Sequence, residues 1–163
     1  AGCAQAASSG QHYAYQTPAD NSYSKSPLDV PSATFPEKAS EFEAQTAIGG
    51  GPVLINKGKI VDTWKEELFE VGGVEPASSH PRTAVGITAD NKMIMFVCEG
   101  RNMTEGVKGM TTAEVAEILK DLGCVEAINL DGGGSTCMLV NGKETIKVSD
   151  GAQRAVASAV YFK

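Results

Sequence analysis

Ala127-Ile128-Asn129-Leu130-Asp131-Gly132-Gly133-Gly134-Ser135-Thr136 joins two apolar runs at a corner. The first run, Val125 to Leu130, carries an Asn and leads into an Asp; the second, Cys137 to Val140, resumes beyond three consecutive glycines. This pattern predicts strand, loop, strand, with chemistry at the turn. Glycine loses more conformational entropy on folding than any other residue, so three in succession point to positive φ or to close approach of another group. Successive amides in such a loop can converge on one anionic oxygen, with the Ser135 and Thr136 hydroxyls beside them. A glycine-built hairpin with a bulge fits the same letters, and the stretch alone leaves both readings open.

Just upstream, Thr111-Thr112-Ala113-Glu114 has the capping-box pattern, a hydroxyl at the N-cap and a carboxylate three residues on. Val115, Ile118, Leu119 and Leu122 then recur at helical spacing and Gly123 suits a C′ position, which predicts a helix over 112–122. That helix leads through Cys124 into the Asn129 strand, a helix-to-strand unit packed on a sheet. Downstream, Thr136 to Val140, the Asn141-Gly142 turn and Thr145 to Val148 predict a hairpin, and Val156 to Phe162 a terminal strand. Farther upstream, Met93 to Cys98 is an unbroken apolar run and reads as a central strand buried on both faces. Thr83 to Thr88 reads as another strand, and Val53 to Asn56 pairs with Ile60-Val61 across Asn56-Lys57-Gly58-Lys59. A short helix is expected over Glu37 to Ala47. Residues 1–36, rich in Ser, Pro, Ala and Tyr without periodicity, read as a loop-rich extension of a domain over 37–163.

A length of 163 residues suits one domain with a real core. A net charge of -6 argues against a general nucleic-acid or membrane-surface binder, which needs a basic field. A bound phosphate must therefore be attracted by local groups. No apolar run reaches the roughly eighteen residues of a membrane helix, and no signal peptide is visible at Ala1. The four cysteines, Cys3, Cys98, Cys124 and Cys137, show no Cys-x-x-Cys spacing, which disfavours structural zinc. Cys98 and Cys137 can be a cross-strand disulfide or buried free thiols.

His80-Pro81-Arg82-Thr83-Ala84-Val85-Gly86, Glu99-Gly100-Arg101, Asn129 to Thr136, and the late Ser149-Asp150 with Arg154 together resemble the phosphodiester glycosidase family. The resemblance covers about residues 44–163, and the order and spacing of its blocks make it specific. It implies an α+β domain around a mixed, mostly antiparallel sheet. It also implies hydrolysis of a sugar-1-phosphodiester, of the N-acetylglucosamine-1-phosphodiester kind, and an exported location; no cofactor or metal is expected. The family domain usually has further strands upstream, including an Asn-Gly-Gly-Tyr-Phe-like segment that this sequence lacks. Either residues 1–44 replace that region in a compact version, or the sequence is a C-terminal portion of a longer protein with residues 1–36 as the tail of the missing part; the second is the favoured expectation.

Cleaving a glycosyl phosphodiester at the anomeric carbon builds oxocarbenium character, so a carboxylate is needed nearby as base or nucleophile. The phosphomonoester is already a good leaving group, which shifts the weight to cations and amides that hold it. Asp131 and Glu99, both at strand ends, are the candidate catalytic carboxylates, although an isolated acid is more often a solvated turn residue. Arg82, Arg101 and Arg154 are candidate phosphate ligands, since a guanidinium fork fits two phosphate oxygens; the plainer alternative is a surface ion pair. His80 can donate to phosphate or exchange a proton, or simply sit in a loop. Asn129 can orient a sugar hydroxyl or the carboxylate, or cap the strand end. Gly132, Gly133, Gly134, Ser135 and Thr136 complete the candidate substrate site. A non-catalytic glycan or phosphosugar binding module is the competing class, and would not need Asp131. Metal binding by Asp131, Glu99 and Asp150 is the weakest option, because no calcium-loop spacing is present.

Overall fold

The computed structural model describes residues 4–6, 12–14, 40–41, 47–65, 67, 69 and 73–162. Three short strands come first, β1 (Ala4–Ala6), β2 (His12–Ala14) and β3 (Ser40–Glu41), antiparallel in that order. The extension expected to be loop over 1–36 thus contains two of them. Ser40–Glu41 is a strand within the helix expected over Glu37 to Ala47, and residues 42–46 lie outside the described set.

The main sheet is built from β4 (Val53–Asn56), β5 (Lys59–Ile60), β6 (Arg82–Thr88), β7 (Met93–Cys98) and β8 (Cys124–Asn129). Their order is β5-β4-β8-β6-β7 and every pairing is antiparallel, which makes this an α+β domain. The turn between β4 and β5 holds Lys57 at φ 50° and Gly58 at φ 74°, the doubly left-handed geometry that matches the strand twist in tight hairpins.

Helix α1 (Thr112–Asp121) forms as its sequence predicts. Thr111 accepts the Glu114 amide and Glu114 reaches back to the Thr111 amide at 2.8 Å, so two donors of the first turn are satisfied reciprocally. Thr112, Val115, Ala116 and Leu119 are buried, spaced three, one and three apart, and form one face. That face packs on Leu54, Ile55, Ala84, Cys124 and Ala127. Leu122 differs from expectation: it lies past the last helical residue and is 51% exposed.

Two further expectations are corrected. β7 is an edge strand with Met93 and Met95 exposed, because β6 pairs with β7 on one side and with β8 on the other. An apolar run reports hydrophobicity and not the number of neighbours, so it could not separate an edge from a centre. The hairpin after the glycines shrinks to β9 (Leu139–Val140) and β10 (Lys143–Glu144), and residues 145–148 and 156–162 are not strands. Val156, Val160, Tyr161 and Phe162 are exposed there; despite their β-favouring side chains, no strand pairs with this stretch among the described residues. Cys98, Cys124 and Cys137 are free thiols, and Cys3 lies outside the described residues.

This topology gathers one end of the sheet. Because β6 runs against both neighbours, its first residue, Arg82, lies opposite Cys98 at the end of β7, and Ala84 lies opposite Asn129 at the end of β8. The residues that follow β7 and β8 therefore emerge where β6 begins.

Candidate active site

An open cleft of about 220 Å³ lies at that end of the sheet. The strand edge is extended into it by backbone bonds: the Leu130 amide donates to the Thr83 carbonyl at 2.8 Å and the Gly133 amide to the Pro81 carbonyl at 2.9 Å. Asp131 is thereby carried past the end of the sheet, and Gly132 lies against Pro81 and Arg82. His80, Arg82, Arg101, Asn129, Asp131, Gly132, Gly133, Gly134 and Arg154 all line this cleft, together with Gly73 and Val74. The cleft's lining does not include Glu99, Ser135 or Thr136.

The three arginines have different surroundings. Arg82 is 3% exposed and donates from Nε to the Met110 carbonyl, from Nη1 to Val74, and from Nη2 to Glu75 and Ser78, all between 2.7 and 2.9 Å. A guanidinium has five N–H donors, so four are committed to backbone carbonyls. Burial pulls its pKa below the ordinary value, against the opposing charges of Cys98, Asp62 and Glu75. Arg82 therefore fastens the 74–78 wall of the cleft to β6 and Met110. Arg101 and Arg154 are half exposed and meet at Asp150. Arg154 donates from Nε to Asp150 Oδ2 at 3.0 Å and from Nη1 to Ser135 Oγ at 3.4 Å. Arg101 Nη1 lies 3.6 Å from Asp150 Oδ1 and donates to Ser149 Oγ at 3.3 Å. Two guanidiniums share one carboxylate, which leaves an excess of positive charge beside the glycines.

The glycine loop serves close approach more than amide donation. A Cβ on Gly133, whose φ is 57°, would stand 2.9 Å from Arg101 Nη2, and one on Gly134 would collide with Asp150 and Arg154. The loop closes into a short 3-10 turn, Gly133–Ser135, in which the Ser135 and Thr136 amides donate to Gly132 and Gly133. Thr136 is buried and its hydroxyl accepts from Thr83 at 3.3 Å, which directs it to the interior.

Asn129 is 2% exposed and its Nδ2 donates to the carbonyls of Gly51 and Leu130, both at 2.9 Å. Its Oδ1 is buried without a hydrogen-bond partner among the described residues, in a residue that lines the cleft. Asp131 is exposed and makes no hydrogen bond or ion pair with the described residues. His80 Nε2 lies 2.8 Å from Glu75 Oε2. Glu99 is engaged elsewhere: its Oε2 accepts the Lys147 amide at 2.9 Å, and hydrogen bonding to Thr104 and to that amide holds its carboxyl below the usual carboxylate range. Cys98 donates to the His80 carbonyl at 3.7 Å, and burial pushes its thiol up.

Sequence reading missed Glu75 and the arginine-bridging role of Asp150. Glu75 sits five residues before His80 in an irregular loop, where no periodicity relates the two. Among the described residues no group of three His, Cys, Asp or Glu side chains could hold a metal ion. Among them, too, no helix is long and apolar enough to cross a membrane.

The phosphodiester glycosidase family model matches residues 9–163. Curated relatives include the mouse N-acetylglucosamine-1-phosphodiester alpha-N-acetylglucosaminidase, 34% identical over 65% of this chain and 20% of that protein. A prophage-derived uncharacterized protein of Bacillus subtilis, YomE, is 35% identical over 50% of this chain and 12% of its own length. Among solved structures, a hypothetical protein from Synechocystis matches with TM-score 0.54 and 30% identity, over 64% of this chain and 19% of that one. The catalytic domain of zebrafish N-acetylglucosamine-1-phosphodiester alpha-N-acetylglucosaminidase, auto-inhibited by its pro-peptide, matches with TM-score 0.51 and 32% identity, over 63% and 34%. The chain thus spans about a fifth or less of the curated relatives it matches.

Proposed function

The chain belongs to the phosphodiester glycosidase family, and on that premise we propose that it hydrolyses a sugar-1-phosphodiester and releases the free sugar. The names of its animal relatives make an N-acetylglucosamine-1-phosphodiester the first substrate to try. The observation that carries the reading is Asp131, a carboxylate that no described residue engages, in the same cleft as two half-exposed guanidiniums, Arg101 and Arg154.

A phosphodiester carries one negative charge, and departure from the anomeric carbon adds a second to the leaving phosphate. Arg101 and Arg154 would receive that growing charge, with the glycines allowing the substrate close to them. The sugar carbon gains positive charge in the same step, and Asp131 would stabilise it as an ion or as a nucleophile. Asn129 Oδ1 would accept a sugar hydroxyl or amide, which removes the cost of a buried unpaired acceptor. Arg82 and Glu99 would contribute by holding walls and loops in place, given the partners they already have. A binding module needs no unengaged carboxylate beside an anionic ligand, since Asp131 would repel it; this favours the enzyme. Export is the location that goes with this activity in the family. The test is release of free N-acetylglucosamine from N-acetylglucosamine-1-phosphomethyl ester by the purified chain, against the same chain lacking the Asp131 carboxylate.

A further inference from the structure

We propose that Glu75 is a positioning residue, whose carboxylate orients the His80 ring so that Nδ1 is the proton acceptor presented to substrate. The contact is 2.8 Å between Glu75 Oε2 and His80 Nε2. An ionised carboxylate only accepts, so the shared proton sits on Nε2 and the lone pair of the neutral ring is left on Nδ1. Nδ1 has no partner among the described residues. Arg82, Arg101, Arg154 and Asp131 share the cleft with His80, and Glu75 is the acid in contact with its ring.

Both members of the pair are anchored through their backbones. Glu75 has a φ of 44°, a left-handed conformation that is unfavourable for a residue with a Cβ and persists only where its surroundings impose it. Here they do: the Glu75 carbonyl accepts Arg82 Nη2 at 2.8 Å and the Ser78 amide at 3.0 Å, while the preceding carbonyl accepts Arg82 Nη1 at 2.7 Å. His80 is fixed by reciprocal bonds with Met110, its amide donating at 3.2 Å and its carbonyl accepting at 2.9 Å. The buried Arg82 therefore acts on the cleft at one remove, by imposing the Glu75 conformation that brings its carboxylate to His80.

The inference rests on the hydrolase reading above. Nδ1 takes a proton from water as the water oxygen bonds to the anomeric carbon. The bond from that carbon to the phosphate oxygen breaks, and its electron pair leaves with the phosphate. Glu75 then faces an imidazolium, which returns its proton to solvent or product. A carboxylate behind a basic imidazole fixes the ring's orientation and stabilises the charge that forms on it.

Two measurements separate this inference from the hydrolase reading. In proton and nitrogen-15 NMR of the substrate-free protein, His80 should show an Nε2–H proton shifted downfield and slow to exchange with water. Glu75→Ala should abolish it while the amide spectrum stays native. Absence of that proton in the parent, or its persistence in the variant, overturns the positioning role whatever the activity. With N-acetylglucosamine-1-phosphomethyl ester as substrate, Glu75→Ala should lower kcat about tenfold to hundredfold with little change in KM, the loss typical of removing a partner that orients a functional imidazole. His80→Gln should lose at least as much, and the double variant no more than His80→Gln alone. Independent, multiplying losses contradict the pair. A parent without turnover removes the hydrolase reading and the proton-transfer step with it, and the NMR result then decides the positioning role.

Discussion

Arg154 donates from Nε to Asp150 Oδ2 at 3.0 Å, and the other oxygen of that carboxylate lies 3.6 Å from Arg101. Asp150 thus holds two guanidiniums of like charge together above Gly133 and Gly134. Arg154→Ala should raise KM and lower kcat for a phosphodiester, because the phosphate loses a partner before and during bond cleavage. Asp150→Asn should weaken binding as well, since the arginines lose the group that holds them in register. Steady-state kinetics check both, and an Asp150→Asn enzyme with unaltered kinetics would show that the arginines are positioned without it.

Arg82 is the structural arginine of the site. Arg82→Met should cost about 3 kcal/mol or more, because four carbonyls in part-buried hydrogen bonds lose the donor of a buried guanidinium and each unsatisfied group costs roughly 1–3 kcal/mol. Urea unfolding gives the value. A loss below about 1 kcal/mol would mean the 74–78 wall is held by other contacts.

In the core, Leu119→Ala should cost about 2–5 kcal/mol, since Leu119 is fully buried between α1 and the sheet. Leu122→Ala should cost under about 0.5 kcal/mol, because Leu122 is 51% exposed. Equal losses at the two positions in denaturant titration would contradict the packing of α1.

Glu99 gives a pH dependence of definite sign. Its carboxyl lies below the ordinary value of 4.5 in the folded chain, so its contribution to stability is fully present above that pH and is lost as pH falls through the folded value. Glu99→Gln should therefore be less stable than the parent near neutrality, with the gap closing below pH 4.5. Thermal melts across pH 3–7 are the measurement, the range following from ordinary carboxylate titration at about pH 4. A gap that widens in acid would reverse the assignment.

Local features were legible in the sequence where one segment determines them. The capping box at Thr111, the β8 strand and the Lys57-Gly58 turn follow from residues a few positions apart. The edge position of β7 was not legible, because it depends on which strands pair. In the site, the strand-end positions of Asp131 and Asn129 followed from one apolar run. The commitment of Arg82 to carbonyls at Val74, Glu75, Ser78 and Met110 did not, because residue identity does not show whether a guanidinium is already occupied. The separation of Glu99 from the cleft lining had the same origin, since its partner Lys147 lies 48 residues away.

The central claim is that Asp131 stabilises positive charge on the sugar carbon, and Asp131→Asn tests it most directly. The substitution keeps shape and polarity and removes only the charge. Affinity for N-acetylglucosamine-1-phosphomethyl ester should be retained or tightened, since a repulsion toward the phosphate is lost, while kcat should fall at least about a hundredfold. Both numbers come from one preparation, by calorimetric binding and by release of free sugar. Turnover unchanged in Asp131→Asn would contradict the claim.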